Sequence, residues 1–258
     1  MAGSNTERVP KKAVKNVLGT TAGVISLAAT YYILTATVVP QPAIVEYPRQ
    51  VKELAEIGVE APYNPLTRRA LYTLETLTAE SLKGTVVQRS FHEEPGVAQE
   101  LRAKHADYAK SGYDKGHLAP VGNYPGRERG TYTYANAAPQ NSILNRTWWV
   151  NLETDIRTLT REDDTVKVWV VTGTLEEQPT RVTIGNTPIV VPSHFYKTIR
   201  RQQKNGEMHV WAFLAPNEKP PEEPDFQVTV DELEKHTGMN FWADTPKIEE
   251  STKTPWPY

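Results

Sequence analysis

The stretch Ser111-Gly112-Tyr113-Asp114-Lys115-Gly116-His117-Leu118-Ala119-Pro120 brings an acid, a base, a glycine and an imidazole into consecutive positions. A histidine that follows glycine can be presented with its ring free, and near neutral pH it accepts a proton from water. Taken alone, the run reads more readily as an ordinary turn. A second block follows as Asn136-Ala137-Ala138-Pro139-Gln140, then Leu144-Asn145-Arg146-Thr147-Trp148-Trp149-Val150-Asn151-Leu152-Glu153. At about 100° per residue, Asn145, Trp149, Leu152 and Glu153 occupy neighbouring positions on one helical side. An amide oxygen and a carboxylate can then look toward the same ion, and both suit magnesium. Alone, this block also reads more readily as something plain, with Asn145 a helix cap and Glu153 a surface acid.

Working outward, Tyr72–Leu77 and residues 166–172 alternate or run apolar with β-branched side chains, as do residues 188–192, 194–199 and 208–214. These predict strands. Leu144, Trp148, Leu152, Ile156 and Leu159 recur at helical spacing and predict one long helix in mid-chain. Thr229-Val230-Asp231-Glu232 is a capping box, and Gly238 stands where its helix would stop. The pattern predicts an α+β domain over residues 66–246, dominated by strands.

The ends read differently. Residues 1–16 are basic, and residues 17–39 carry no charge. As a helix at about 1.5 Å per residue, that span reaches roughly 35 Å, enough to cross a bilayer core. Lys11, Lys12 and Lys15 precede it and the first charge beyond it is Glu46, so the positive-inside rule puts the body outside. A cleaved signal peptide competes with this anchor, but its apolar core is usually shorter, about 7–15 residues. Residues 40–65, opened by Pro40-Gln41-Pro42, read as a linker, and residues 247–258 as a flexible tail.

Composition narrows the chemistry. The 258 residues are 38% hydrophobic and 23% charged, which excludes a disordered or collagen-like chain. There is no cysteine, so a disulfide framework, a thiolate zinc site and a cysteine nucleophile are all excluded. Any metal must be held by oxygen or imidazole, a set that favours hard ions. The net charge of -2 hides a gradient: residues 1–39 carry 4 basic and 1 acidic side chains, residues 40–216 carry 21 and 20, and residues 217–258 carry 4 and 10. A nucleic-acid ligand would therefore be gripped by a few local charges and not by a basic field.

Together the two blocks resemble the DNA/RNA non-specific endonuclease family of ββα-metal nucleases, and in particular its endonuclease G branch. The family's Asp-Arg-Gly-His signature is similar to Asp114-Lys115-Gly116-His117. Its second block, Asn-x-x-Pro-Gln and then Leu-Asn-x-x-x-Trp-x-x-Leu-Glu, matches at Asn136, Pro139, Gln140, Leu144, Asn145, Trp148 or Trp149, Leu152 and Glu153. Similarity extends over about residues 62–245. The resemblance implies a ββα-metal fold, mainly antiparallel sheet with a long metal-site helix. It also implies magnesium-dependent hydrolysis of DNA and RNA without sugar specificity, with manganese as a substitute ion, 5′-phosphate products and a homodimer.

Carried over by position, the resemblance makes His117 the general base and Asn145 the direct metal ligand. Glu153 would hold water around the ion, Arg89 would approach the scissile phosphate, and Asn136 would order the site. Lys115 stands where the family has arginine, and offers phosphate one compact charge in place of a planar fork; alternatively it pairs with Glu93 or Glu94. The remaining histidines, His92, His105, His209, His236 and His194, read as surface or structural residues, and Trp148 and Trp149 as packing. The family includes mitochondrial and exported bacterial members, so an anchored body fits either the mitochondrial intermembrane space or the periplasm. Asn145-Arg146-Thr147 is a glycosylation sequon, and a glycan on the metal ligand would block the ion, which argues against maturation in the secretory pathway. The rival readings are a catalytically weakened nucleic-acid-binding relative and an anchored scaffold of the same fold.

Overall fold

The computed structural model describes residues 50–244 and 250–258. Its centre is an antiparallel sheet of β3 (Tyr72–Leu77), β6 (Thr165–Leu175), β9 (His194–Gln203), β10 (Met208–Pro216) and β11 (Gln227–Val228), in the order β11-β10-β9-β6-β3. The long strands coincide with the stretches of alternating apolar residues, because each face of the sheet is covered. On one face Leu77, Val168, Val170, Ile199, Trp211 and Phe213 pack against Leu152, Ile156 and Leu159 of α4 (Val150–Arg161). On the other, Tyr72, Val171, Tyr196, Val210 and Ala212 meet Val230 and Leu233 of α5 (Val230–Thr237) together with Phe241 and Trp242. Thr229 caps the helix as half of the expected box, its Oγ1 accepting from the Glu232 amide at 3.1 Å, and Gly238 ends the helix in the left-handed region at φ 68°.

Three shorter ladders surround the sheet, β1 (Tyr63–Asn64) with β2 (Arg69–Ala70), β7 (Thr183–Ile184) with β8 (Ile189–Val190), and β4 (Asp114–His117) with β5 (Ala137–Gln140). β4 and β5 pair Asp114 with Gln140 and His117 with Ala137. Directly after β5 comes a continuous helix. It begins as α3 (Ser142–Leu144), passes through a π turn at Asn145–Trp149, and continues as α4. Asn141 caps it, its side chain accepting from the amides of Ile143 and Leu144 at 3.0 and 3.2 Å. The cap is therefore Asn141, and Asn145 is left free for another task.

Both flanks differ from the sequence reading. Residues 50–65 are part of the body and not a linker: Val51, Leu54 and Ile57, on and beside α1 (Lys52–Glu56), are buried with Leu118, Ala119 and Trp149. Their three-residue spacing is an amphipathic signal that the neighbouring prolines and charges mask. The last residues also pack, in place of forming a loose tail. The Trp256 ring stands edge-on to Trp211 and Phe213 at 5.2 and 5.3 Å, and the Pro255 carbonyl accepts from Trp211 Nε1 at 3.2 Å. The charge-free span at 17–39 lies outside the described residues. Among the described residues, no helix is long and apolar enough to cross a membrane.

Candidate active site

β4 places Lys115 and His117 two residues apart, hence on one face of the hairpin. Gly116 between them lies against the side chain of Gln140, which leaves no room for a Cβ. The helix that follows β5 faces this hairpin, and together they enclose a cavity of about 620 Å³ whose wall includes Arg89, Phe91, Lys115, His117, Asn145, Arg146 and Glu153. The cavity thus gathers Arg89, Lys115, His117, Asn145 and Glu153, which the sequence singles out, from positions up to 64 apart, whereas Asn136 lies outside its wall.

The half-buried His117 ring lies 4.8 Å from Phe91 and edge-on to Tyr132 at 5.2 Å. Its Nε2 is buried and has no hydrogen-bond partner among the described residues. Burial, reinforced by the charge of Lys115, lowers its pKa from the ordinary 6.5 to about 4. The imidazole is therefore neutral at pH 7, the form that can accept a proton.

Asn145 and Glu153 are eight residues apart, which in an ideal α-helix leaves them about 80° out of line. The π turn at Asn145–Trp149 widens the coil and takes up part of that angle. The Asn145 Nδ2 donates to Asp114 Oδ2 at 3.0 Å, so its amide nitrogen is committed and its carbonyl oxygen is left for a cation. Burial works to raise the Asp114 pKa, but hydrogen bonds from Arg146 and Asn145 outweigh it and hold the carboxyl below its usual range. Burial raises the Glu153 pKa, opposed by Lys197 and Arg157. One amide oxygen and one carboxylate are few ligands for calcium or zinc, but they fit magnesium, which keeps several waters and takes one or two protein oxygens.

The cationic residues are held separately. Arg89 gives Nε and Nη2 to Glu128 Oε1 at 3.1 and 2.9 Å, while its side chain stays 47% exposed toward the cavity. Lys115 lies over the Phe91 ring at 5.5 Å and makes no ion pair among the described residues. Glu93 instead pairs with Arg102 at 3.8 Å, and the buried Glu94 accepts from the Gly96 amide. Asn136 is fully buried, accepting from the Ala119 amide and donating to the carbonyls of Ala119 and Thr131, each at 2.9 Å. With both amide atoms so engaged it fixes the chain beyond His117 and cannot meet substrate. This corrects its place among the catalytic residues while fitting an ordering role.

Behind the site lies a buried polar cluster that the sequence does not announce. Lys197, fully buried on β9, donates to Thr172 Oγ1 at 2.7 Å and stands over the Trp149 ring at 4.7 Å. Glu75, on β3, accepts from Asn123 Nδ2 at 2.9 Å, and burial pushes its carboxyl up to about 7 against the pull of Lys197. A charged residue at an inward position of an apolar strand was the available signal. Glu128 and Arg146 were also missed: Glu128 meets Arg89 from 39 positions away, whereas Arg146 adjoins the candidate ligand. His105, which opens α2 (His105–Tyr108), lines the cavity as well, with Nδ1 3.1 Å from the Tyr134 hydroxyl.

Residues 44–248 match the family described as DNA/RNA non-specific endonuclease. The chain belongs to that family. It is 34% identical over 197 residues to "Endonuclease G, mitochondrial" of both Bos taurus and Homo sapiens, covering 69% of this chain and 65% of each relative. It is 36% identical over 202 residues to Nuclease C1 of Cunninghamella echinulata var. echinulata, covering 70% of this chain and 78% of that one. A chain from the crystal structure of the EndoG/EndoGI complex superposes with a TM-score of 0.67 at 29% identity, covering 74% of this chain and 85% of its own length. Similarity is thus to the endonuclease G branch of the family. The chain spans 65% of the length of the two mammalian relatives.

Proposed function

We propose that this chain is a magnesium-dependent nuclease that hydrolyses phosphodiester bonds of DNA and RNA and leaves 5′-phosphate ends. The observation that carries the reading is a neutral imidazole, His117, in one cavity with a free amide oxygen on Asn145 and the carboxylate of Glu153. His117 takes a proton from water as the water oxygen bonds to phosphorus, and the bond to the 3′ oxygen breaks. Arg89, its plane fixed by Glu128, and Lys115 offset the charge that grows on the phosphate oxygens. A hydrated magnesium ion on Asn145, its water shell held by Glu153, would supply Lewis-acid relief of charge at the departing oxygen. These groups address phosphate and not base edges, so little sequence or sugar specificity follows.

Relatives named mitochondrial support a mitochondrial setting over a periplasmic one. A membrane tether at residues 17–39 and a homodimer belong to the proposal on the sequence reading alone. The catalytic reading is tested by incubating supercoiled plasmid and a structured RNA with the protein, in magnesium or in chelator, beside His117→Ala. Cleavage of both substrates only with magnesium and only by the parent supports it. Cleavage that persists in chelator, or in the variant at the parent's rate, overturns it.

A further inference from the structure

Arg146 is 69% exposed, yet its guanidinium is tightly held. Its Nε meets Asp114 Oδ2 at 2.8 Å and its Nη2 meets Asp114 Oδ1 at 2.7 Å, two parallel bonds that set the plane of the carboxylate. The same Oδ2 accepts the Asn145 amide at 3.0 Å. We infer that Arg146 is a positioning residue: acting through Asp114, it fixes the Asn145 amide with its oxygen toward the cavity and so raises affinity for the cation.

Two physical effects support this. If the Asn145 amide flipped, its carbonyl oxygen would face the Asp114 carboxylate and its NH₂ would face the ion, and both contacts are repulsive. Asp114 therefore selects the productive orientation only while its own plane is held. In addition, both Asp114 oxygens are occupied by Arg146, so the carboxylate cannot swing toward the cation and displace the neutral ligand. Groups that orient a metal ligand in this way typically contribute about 10–100-fold to metal affinity. The inference rests on the reading of Asn145 as the direct ligand, and the experiment separates the two.

The measurement is manganese binding to the full chain without nucleic acid, by calorimetry and by the electron paramagnetic resonance signal of free ion. Arg146→Ala should weaken binding about 10-fold or more. Arg146→Lys should recover only part of the loss, because one ammonium cannot span both carboxylate oxygens. The melting temperature of either variant should stay within about 2 °C of the parent, as expected for an exposed pair. If Asn145→Ala abolishes binding while Arg146→Ala leaves it within twofold, the positioning role is overturned and the ligand reading stands. If Asn145→Ala itself leaves affinity unchanged, both fail. A rise in KM for duplex with unchanged manganese affinity in Arg146→Ala would make Arg146 a phosphate contact and overturn the positioning role as well.

Discussion

Gly116→Ala is the most informative single-atom perturbation of this site, because the added methyl has a defined obstacle. A Cβ at position 116 would stand 2.1 Å from Gln140 Oε1, 2.8 Å from its Cδ and 2.7 Å from its Cβ. The first two contacts could be cleared only by swinging the Gln140 side chain to another rotamer, but the third is fixed to the β5 backbone, and Gln140 is fully buried with little space to move. β4 and β5 must therefore part by several tenths of an ångström. Overpacking of this kind costs about 1–3 kcal/mol. At about 2–4 °C per kcal/mol for a domain of this size, the melting temperature should fall by roughly 2–12 °C. His117 is the next residue on the displaced strand, and a shift approaching 1 Å in a catalytic group can cost about 100-fold. Cleavage should thus fall further than the folded fraction does. Melting by circular dichroism and plasmid cleavage at a temperature where both proteins are folded measure the two effects. Adding Gln140→Ala removes the amide contacts but not the Cβ contact, so it should restore only part of each. A Gly116→Ala protein that melts within 1 °C of the parent and cuts at its rate would refute this account of the hairpin.

Three further outcomes are expected. His117→Ala should lower kcat/KM by about 10²–10⁴-fold with far-ultraviolet circular dichroism unchanged, since the ring acts on water and is only half-buried; retention of more than a tenth of the rate removes it as the base. Because the folded pKa of His117 is lowered to about 4, the base form persists below pH 6.5 and the acid limb of kcat/KM should lie under the ordinary imidazole value. The linked stability is complete above pH 6.5 and is lost as pH falls toward 4; a limb at or above 6.5, or one that Lys115→Ala fails to raise, contradicts the assignment. Lys115→Arg should preserve or raise the rate and Lys115→Ala lower it, with a shallower response to salt in the alanine variant, as read from cleavage of one duplex across a salt series.

The sequence made the large elements legible because their signals are local. Alternation located β3, β6, β9 and β10 of the sheet but not the two-residue β11, the stretch at 188–192 forms β8 of a separate ladder, and the run from Leu144 to Leu159 located the helix. The β4–β5 hairpin escaped this reading for a physical reason. Asp114, Gly116 and Pro139 are poor strand formers, and its partners are separated by about twenty residues, so only tertiary packing makes them a ladder. The π turn escaped as well, since no residue in Asn145–Trp149 demands it, yet it improves the alignment of Asn145 with Glu153. Of the site itself, His117, Asn145, Glu153, Lys115 and Arg89 were visible as residue types in a spaced pattern, and they share one cavity. Their carboxylate partners were not. Asp114 lay in the quoted run without a role, and Glu128 carries no mark that ties it to Arg89.

Under the proposed function, those partners would let a body of almost no net charge grip a polyanion. Arg89 is paired with Glu128 and Arg146 with Asp114, which leaves Lys115 as the Lys or Arg of the cavity wall without a carboxylate among the described residues. Each carboxylate cancels much of its arginine's long-range field while fixing the plane of the guanidinium, and the edge turned away from the carboxylate keeps its N–H donors. For Arg89, less side-chain entropy would be lost on meeting phosphate than for a free arginine, while Arg146 acts on Asn145 through Asp114. Recognition also depends less on counterion release, which scales with the number of phosphates neutralised. A site built this way is electrostatically quiet at a distance and strong at contact range, which reconciles the near balance of 21 basic and 20 acidic side chains over residues 40–216 with the proposed nuclease function.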